Sequence, residues 1–189
     1  MVLKAILEKS LQEAVNEPAA GDTPQIVNRN RSEEWVESLA RSLREYYEFD
    51  PSVRVFSKHF EGYRNEFQLN ELLYDIHVCR VSTVMSARQG KILEYVTDAL
   101  WQIESELAKN TRDAIIDFSK LVVGNGKNKL FIGPRTSDNT AFINTLLPAA
   151  GCCNGNVFVA LISHPNSWGE ARPKMDLWKL NIMGVWESI

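Results

Sequence analysis

From Leu69 through Val84 the chain is strongly apolar, and its alternation fits the period of two of a strand. In Leu69–Val84, residues Leu73, Asp75, His77, Cys79 and Val81 would share one face of a strand, and Leu72, Tyr74, Ile76, Val78 and Arg80 the other. Gln89-Gly90 marks a turn. Lys91–Leu107 fits two patterns: Ile92, Val96, Ala99, Leu100, Ile103 and Leu107 also recur at helical spacing. From Leu100 the alternation is clean, which predicts a strand there. Gln102, Glu104 and Glu106 then point one way, and Trp101, Ile103, Ser105 and Leu107 the other.

The flanks read as helices and further strands. Residues 1–16 place Val2, Ile6, Leu7, Leu11 and Val15 at helical spacing, and the Pro18–Pro24 segment breaks that helix. Ser32 is the expected N-cap of a second helix reaching about Phe49, with Trp35, Leu39 and Leu43 on its apolar side. Val53–Phe56 is a short strand. A helix is expected from Asn110 or Thr111 to Val123, closed by Gly124-Asn-Gly126. A strand follows at Lys129–Gly133, then a helix over Asp138–Ala150 broken by Pro148, a strand at Asn156–Ser163, a loop over Pro165–Pro173 and a last strand at Leu177–Trp186. The order predicts an α/β (α+β) protein, a mixed central sheet flanked by helices. Residues 1–189 form one domain, with 1–50 an N-terminal helical accessory element and 51–189 the α/β core.

A chain of 189 residues is long enough to bury a sizeable core, and 44% hydrophobic with 24% charged residues is ordinary for a globular domain. The net charge of −3 gives no overall basic signature, so a nucleic-acid role needs a local positive surface. Three cysteines, two of them adjacent at Cys152-Cys153, suit neither a disulfide framework nor zinc spacing; the pair reads as small residues buried beside Gly151. Lys and Glu interrupt the first 17 residues, so no signal peptide or membrane span is expected, and the default setting is reducing and cytoplasmic.

Candidate chemistry centres on carboxylates in apolar frames. An acid on a half-buried strand costs free energy unless a cation or donors compensate. Asp75 is such an acid, and Glu104 and Glu106 are two more. Mg²⁺ or Mn²⁺ needs only one or two protein carboxylates besides water and substrate oxygens, and such an ion both activates water and neutralises phosphate charge. Glu71 is a further ligand candidate and Glu66 a weaker one. Lys120, Arg112 and Lys109 are placed to meet phosphate. His77 reads as a packed structural histidine, and Trp168 as an exposed loop residue able to stack on a base or partner. No phosphate-binding glycine loop, nucleophile elbow or HExxH stretch is present. The ordinary alternatives are an ion pair of Asp75 with Arg80 or Lys91, and Glu104/Glu106 as the polar side of an edge strand or of one long helix over 91–107.

Tyr74-Asp75-Ile76, then Ile103-Glu104-Ser105-Glu106-Leu107, then a helix over 111–123 and a strand over 129–133 resemble the restriction-endonuclease-like (PD-(D/E)xK) nuclease superfamily across roughly residues 60–165. The resemblance implies a Mg²⁺-dependent DNA nuclease in which Asp75 and Glu104 bind metal and Glu106 stands where that superfamily usually has Lys. It also implies that the N-terminal helices could pair two subunits through the Trp35/Leu39/Leu43 stripe. Two other classes remain: a non-catalytic binding or regulatory protein on the same scaffold, and a mainly helical interaction protein if 91–107 is one helix.

Overall fold

In the computed structural model, which describes residues 2–108, 110–169 and 172–189, seven strands form one mixed sheet in sequential order. The elements are α1 (Val2–Asn16), α2 (Pro24–Tyr46), β1 (Val53–Ser57), α3 (Arg64–Phe67), β2 (Ile76–Ser86), β3 (Lys91–Ser105), α4 (Thr111–Val123), β4 (Asn128–Pro134), α5 (Asn139–Ala150), β5 (Asn156–Ile162), β6 (Met175–Leu180) and β7 (Trp186–Ser188), with a short 3₁₀ turn at Pro165–Ser167. β1, β2 and β3 run as an antiparallel meander, β3–β4 and β4–β5 are parallel, and β6 and β7 return antiparallel. The two parallel steps advance in the same direction, so their crossover helices α4 and α5 lie on one face of the sheet. α1 and α2 cover the other.

Two apolar layers follow. On one face Leu3, Leu7 and Leu11 of α1 and Trp35, Leu39 and Leu43 of α2 pack on Val55, Ile76, Val78, Ile103, Leu130 and Ile132. On the other, Ala114, Phe118 and Leu121 of α4 and Phe142, Ile143 and Leu146 of α5 pack on Phe131, Val157, Val159 and Leu161. The Trp35/Leu39/Leu43 stripe is therefore buried in the core and not open to a second subunit. Trp168 is also core, 3% exposed, with its indole N–H donating to the Ser163 carbonyl at 2.7 Å. Cys152 is exposed and only Cys153 is partly buried, so that pair is not the buried one expected.

Several boundaries differ from the sequence pattern for local reasons. α2 starts at Pro24, not Ser32: the Thr23 hydroxyl accepts the Ile26 N–H, and proline sits in the first turn, where its missing donor costs nothing. Ser32 bonds instead to the Asn28 carbonyl inside the helix. Pro148 lies within α5, within the last turn, and does not end it. The final segment is a hairpin rather than one strand, because Asn181 Oδ1 accepts the Met183 and Val185 N–H groups and Gly184 takes φ 72°. Gly124 is extended, not left-handed, and is needed for space: a Cβ there would lie 2.3 Å from Gln102 Oε1.

The two central segments bear most on function. β3 is strand throughout Lys91–Ser105, which removes the long-helix alternative and with it the mainly helical reading. β2 starts only at Ile76, after Leu73 in a left-handed conformation (φ 70°). That irregularity breaks the expected alternation: Tyr74 packs with α4 and α5, whereas Ile76 and Val78 face α1 and α2.

Candidate functional site

The carboxylates meet where β3 ends, where the chain enters β2, and where α4 crosses above. β3 and β4 pair in parallel register, Glu104 opposite Phe131, which turns Gln102 and Glu104 toward α4 and Ile103 and Ser105 toward α2. Glu104 is 1% exposed. Its Oε2 accepts from Lys120 Nζ at 3.0 Å, while Oε1 is buried without a hydrogen-bond partner. Lys120 is anchored a second time by Asp117, 2.8 Å away and one turn earlier on α4.

Asp75 lies one residue before β2, and its Oδ2 accepts the Ser105 N–H at 2.8 Å. That N–H is the donor beside Glu104, so the sheet end brings the two acids together. It also replaces the expected ion pairs: Arg80 bonds Asp50 at 3.2 Å, and Asp75 has no ion pair among the described residues. Glu106 continues past β3, its N–H donating to the Ile132 carbonyl at 2.9 Å and its Oε1 accepting the Ala108 N–H at 2.5 Å. Glu104 and Glu106 thus share the α4 side, as the alternation predicts.

Burial, and next the charge of Asp75, push the Glu104 carboxyl up to about 8, against the pull of Lys120. Burial also raises Asp75, opposed first by the Ser105 N–H and then by Lys120. Glu106 is raised by burial and by hydrogen bonding to Asp117. Desolvation alone would lower Lys120, but its bonds to Asp117 and Glu104 outweigh it, and the ammonium is held above its usual range. An acidic group at the sheet end thus carries fewer negative charges near neutral pH than its composition suggests.

On the α2 side, Asp75 and Ser105 form the floor of a pocket of about 180 Å³ walled by Arg29, Glu33, Val36 and Glu37 of α2 and by Lys58, His59 and Glu71. Partial burial, then the neighbouring Asp75, raise Glu71. Lys58 is bound to Glu33 at 3.0 Å, and Glu37 accepts the His59 N–H at 3.0 Å.

Of the residues singled out in the sequence, Asp75 and Glu104 are close enough for the charge of one to raise the other, whereas Glu106 lies beside Asp117. Glu71 stands on the pocket rim, and Glu66 is exposed on α3. Among the described residues no group of three or more His, Cys, Asp or Glu side chains is close enough to hold a metal ion, so Asp75, Glu104 and Glu71 do not form a three-ligand cage. Two carboxylates, one with an orphaned buried oxygen, fit the smaller demand of Mg²⁺ or Mn²⁺. Lys120, expected to meet phosphate, is engaged by two carboxylates, although its side chain stays 48% exposed. Arg112 is exposed in the first turn of α4, and Lys109 lies outside the described residues. His77 is buried, with Nδ1 3.0 Å from the Leu72 carbonyl, and burial lowers its pKa.

Sequence reasoning missed Asp117, Ser105 and the α2 wall. The Asp117/Lys120 spacing of one helical turn, following a strand acid, was the only signal for the first. No family model, no curated protein and no solved structure matches this chain. Among the described residues no helix is long and apolar enough to cross a membrane.

Proposed function

We propose that this chain is a divalent-metal-dependent phosphodiester hydrolase acting on DNA, with a restriction-endonuclease-like core. The observation that carries it is Glu104: a carboxylate 1% exposed, one oxygen unpaired, the other held by Lys120, beside a second acid at the same strand end. A buried acid left half-satisfied is expensive and calls for a compensating ligand. The order of elements adds support. Asp75 precedes the middle strand of the meander and Glu104 ends the next; a crossover helix and a parallel strand follow, as the resemblance implies.

Asp75 and Glu104 would hold Mg²⁺ or Mn²⁺, which when bound supplies charge neutralisation at the phosphate and an activated water. Lys120 keeps the Glu104 carboxylate oriented and lowers the cost of ionising it. Glu106 takes the position the superfamily usually gives to lysine; raised by burial, it suits a base that accepts a proton from the attacking water. Arg112, exposed in the first turn of α4 and without an ion pair among the described residues, would meet the phosphate backbone. Three free cysteines suit a reducing cytoplasm.

A second reading, a non-catalytic binding protein on this scaffold, is favoured by charge. Glu33, Glu37, Glu71, Asp113 and Asp117 surround the site, and Lys58 and Lys120 are both neutralised by acids. Supercoiled plasmid incubated with Mg²⁺ or Mn²⁺ separates the two. Nicking or linearisation by the wild type, lost in Asp75→Ala, is expected; metal binding without cleavage would leave the binding reading, and equal cleavage by both proteins would remove Asp75 from the site.

A further inference from the structure

The outer half of the β2–β3 hairpin has no strand partner elsewhere in the sheet, its one tie to β1 being the Arg54–Glu94 ion pair. β1 pairs only with Ile76–Arg80 and β4 only with Trp101–Ser105, so Ser82–Ser86 and Lys91–Val96 pair solely with each other. A free two-stranded ribbon is marginal in water. This one also exposes apolar side chains on both faces: Val84 opposite Leu93 with Tyr95 on one, Met85 (61% exposed) opposite Ile92 (67%) on the other.

Charge says what the ribbon meets. From Arg80 to Leu93 the chain carries Arg80, Arg88 and Lys91 and no acid, in a protein of net charge −3. Arg80 is paired with Asp50, and the acids of β3 are neutralised, Glu94 within the ribbon by Arg54 at 2.6 Å and Asp98 at its root by Lys127. Arg88 and Lys91 at the tip make no ion pair among the described residues and are exposed beside Gln89. Two copies docked tip to tip about a two-fold axis would bring these cations together with no acid to answer them.

We propose that this hairpin is an arm that grips duplex DNA, with Arg88 and Lys91 on phosphates and the apolar ribbon in a groove; the choice of duplex rests on the phosphodiester reading of the Asp75–Glu104 site. A two-stranded ribbon fits the major groove, and apolar side chains flanked by cations are a recurrent means of pressing into a duplex. The eleven residues of β2 separate the tip from Asp75 by about 35 Å, close to one helical turn. A single duplex can then touch both.

Fluorescence anisotropy of the full chain with a labelled 30-base-pair duplex in EDTA tests the arm without metal or cleavage. The wild type is expected to bind the duplex. Arg88→Ala/Lys91→Ala should bind at least about tenfold more weakly near 0.1 M salt, its log–log salt slope reduced by about 1.8, with metal binding and thermal stability unchanged. No binding by the wild type, or an unchanged slope in the double variant, would overturn the proposal. So would concentration-dependent dimerisation of the wild type that Met85→Ser/Ile92→Ser abolishes without affecting DNA affinity. Loss of metal binding in Asp75→Ala bears only on the hydrolase reading.

Discussion

Glu104 concentrates the physical tension of this protein in one side chain. Its folded pKa is raised to about 8 from an ordinary carboxylate value, so the folded state holds a proton that the unfolded state releases. The stability this contributes is fully present below the unfolded pKa and is lost as pH rises through about 8, with a slope of at most about 1.4 kcal/mol per pH unit. Glu104→Gln keeps the shape and removes the titration. Chemical denaturation between pH 5 and 9 is expected to show a falling wild-type stability and a flatter variant, more stable than wild type at pH 8.5; parallel profiles would contradict the assignment. Lys120→Met leaves Glu104 without its cation. Because the ammonium is half exposed, the cost is expected to be about 1–2 kcal/mol rather than that of a fully buried pair. A double-mutant cycle with Glu104→Gln should return a coupling of at least about 0.5 kcal/mol.

At the scale of elements, the alternation in Trp101–Leu107 placed Glu104 and Glu106 on one side and Ile103 and Leu107 on the other, and the α4 boundaries were readable from the Asn110 cap and the Ala114/Phe118/Leu121 stripe. Both rest on local periodicity, which tertiary packing reinforces. The start of α2 was not readable, because a Thr-Pro cap looks the same as a breaker until the helix is seen to continue. Nor was the parity break at Leu73, where an ordinary leucine adopts a left-handed conformation. The Lys120–Glu104 pair joins helix to strand across 16 residues, and no spacing rule announces such a contact. Thr23→Ala is expected to cost about 1 kcal/mol through loss of the α2 cap, measured as a shift in denaturation midpoint. A cost near zero would show that the Pro24 turn alone starts the helix.

Across the whole molecule the sheet divides the work: apolar layers on both faces, carboxylates at one end of β3, and a cationic ribbon without further strand partners at the other. The N-terminal helices belong to one of those layers, so Trp35→Ala is expected to cost about 3–5 kcal/mol with no change in sedimentation behaviour; dissociation of an oligomer instead would restore the stripe as an interface. Amide exchange should be fastest along Ser82–Val96 and slowest in β4 and β5, whose strands are buried on both faces. The central claim is that Asp75 and Glu104 share one divalent cation. Calorimetric titration of Mn²⁺ into the wild type, Asp75→Ala and Glu104→Gln at pH 8.5 tests it most directly. One site in the wild type, weakened at least about 100-fold by either substitution, is the expected result; wild-type affinity retained in both variants would contradict it.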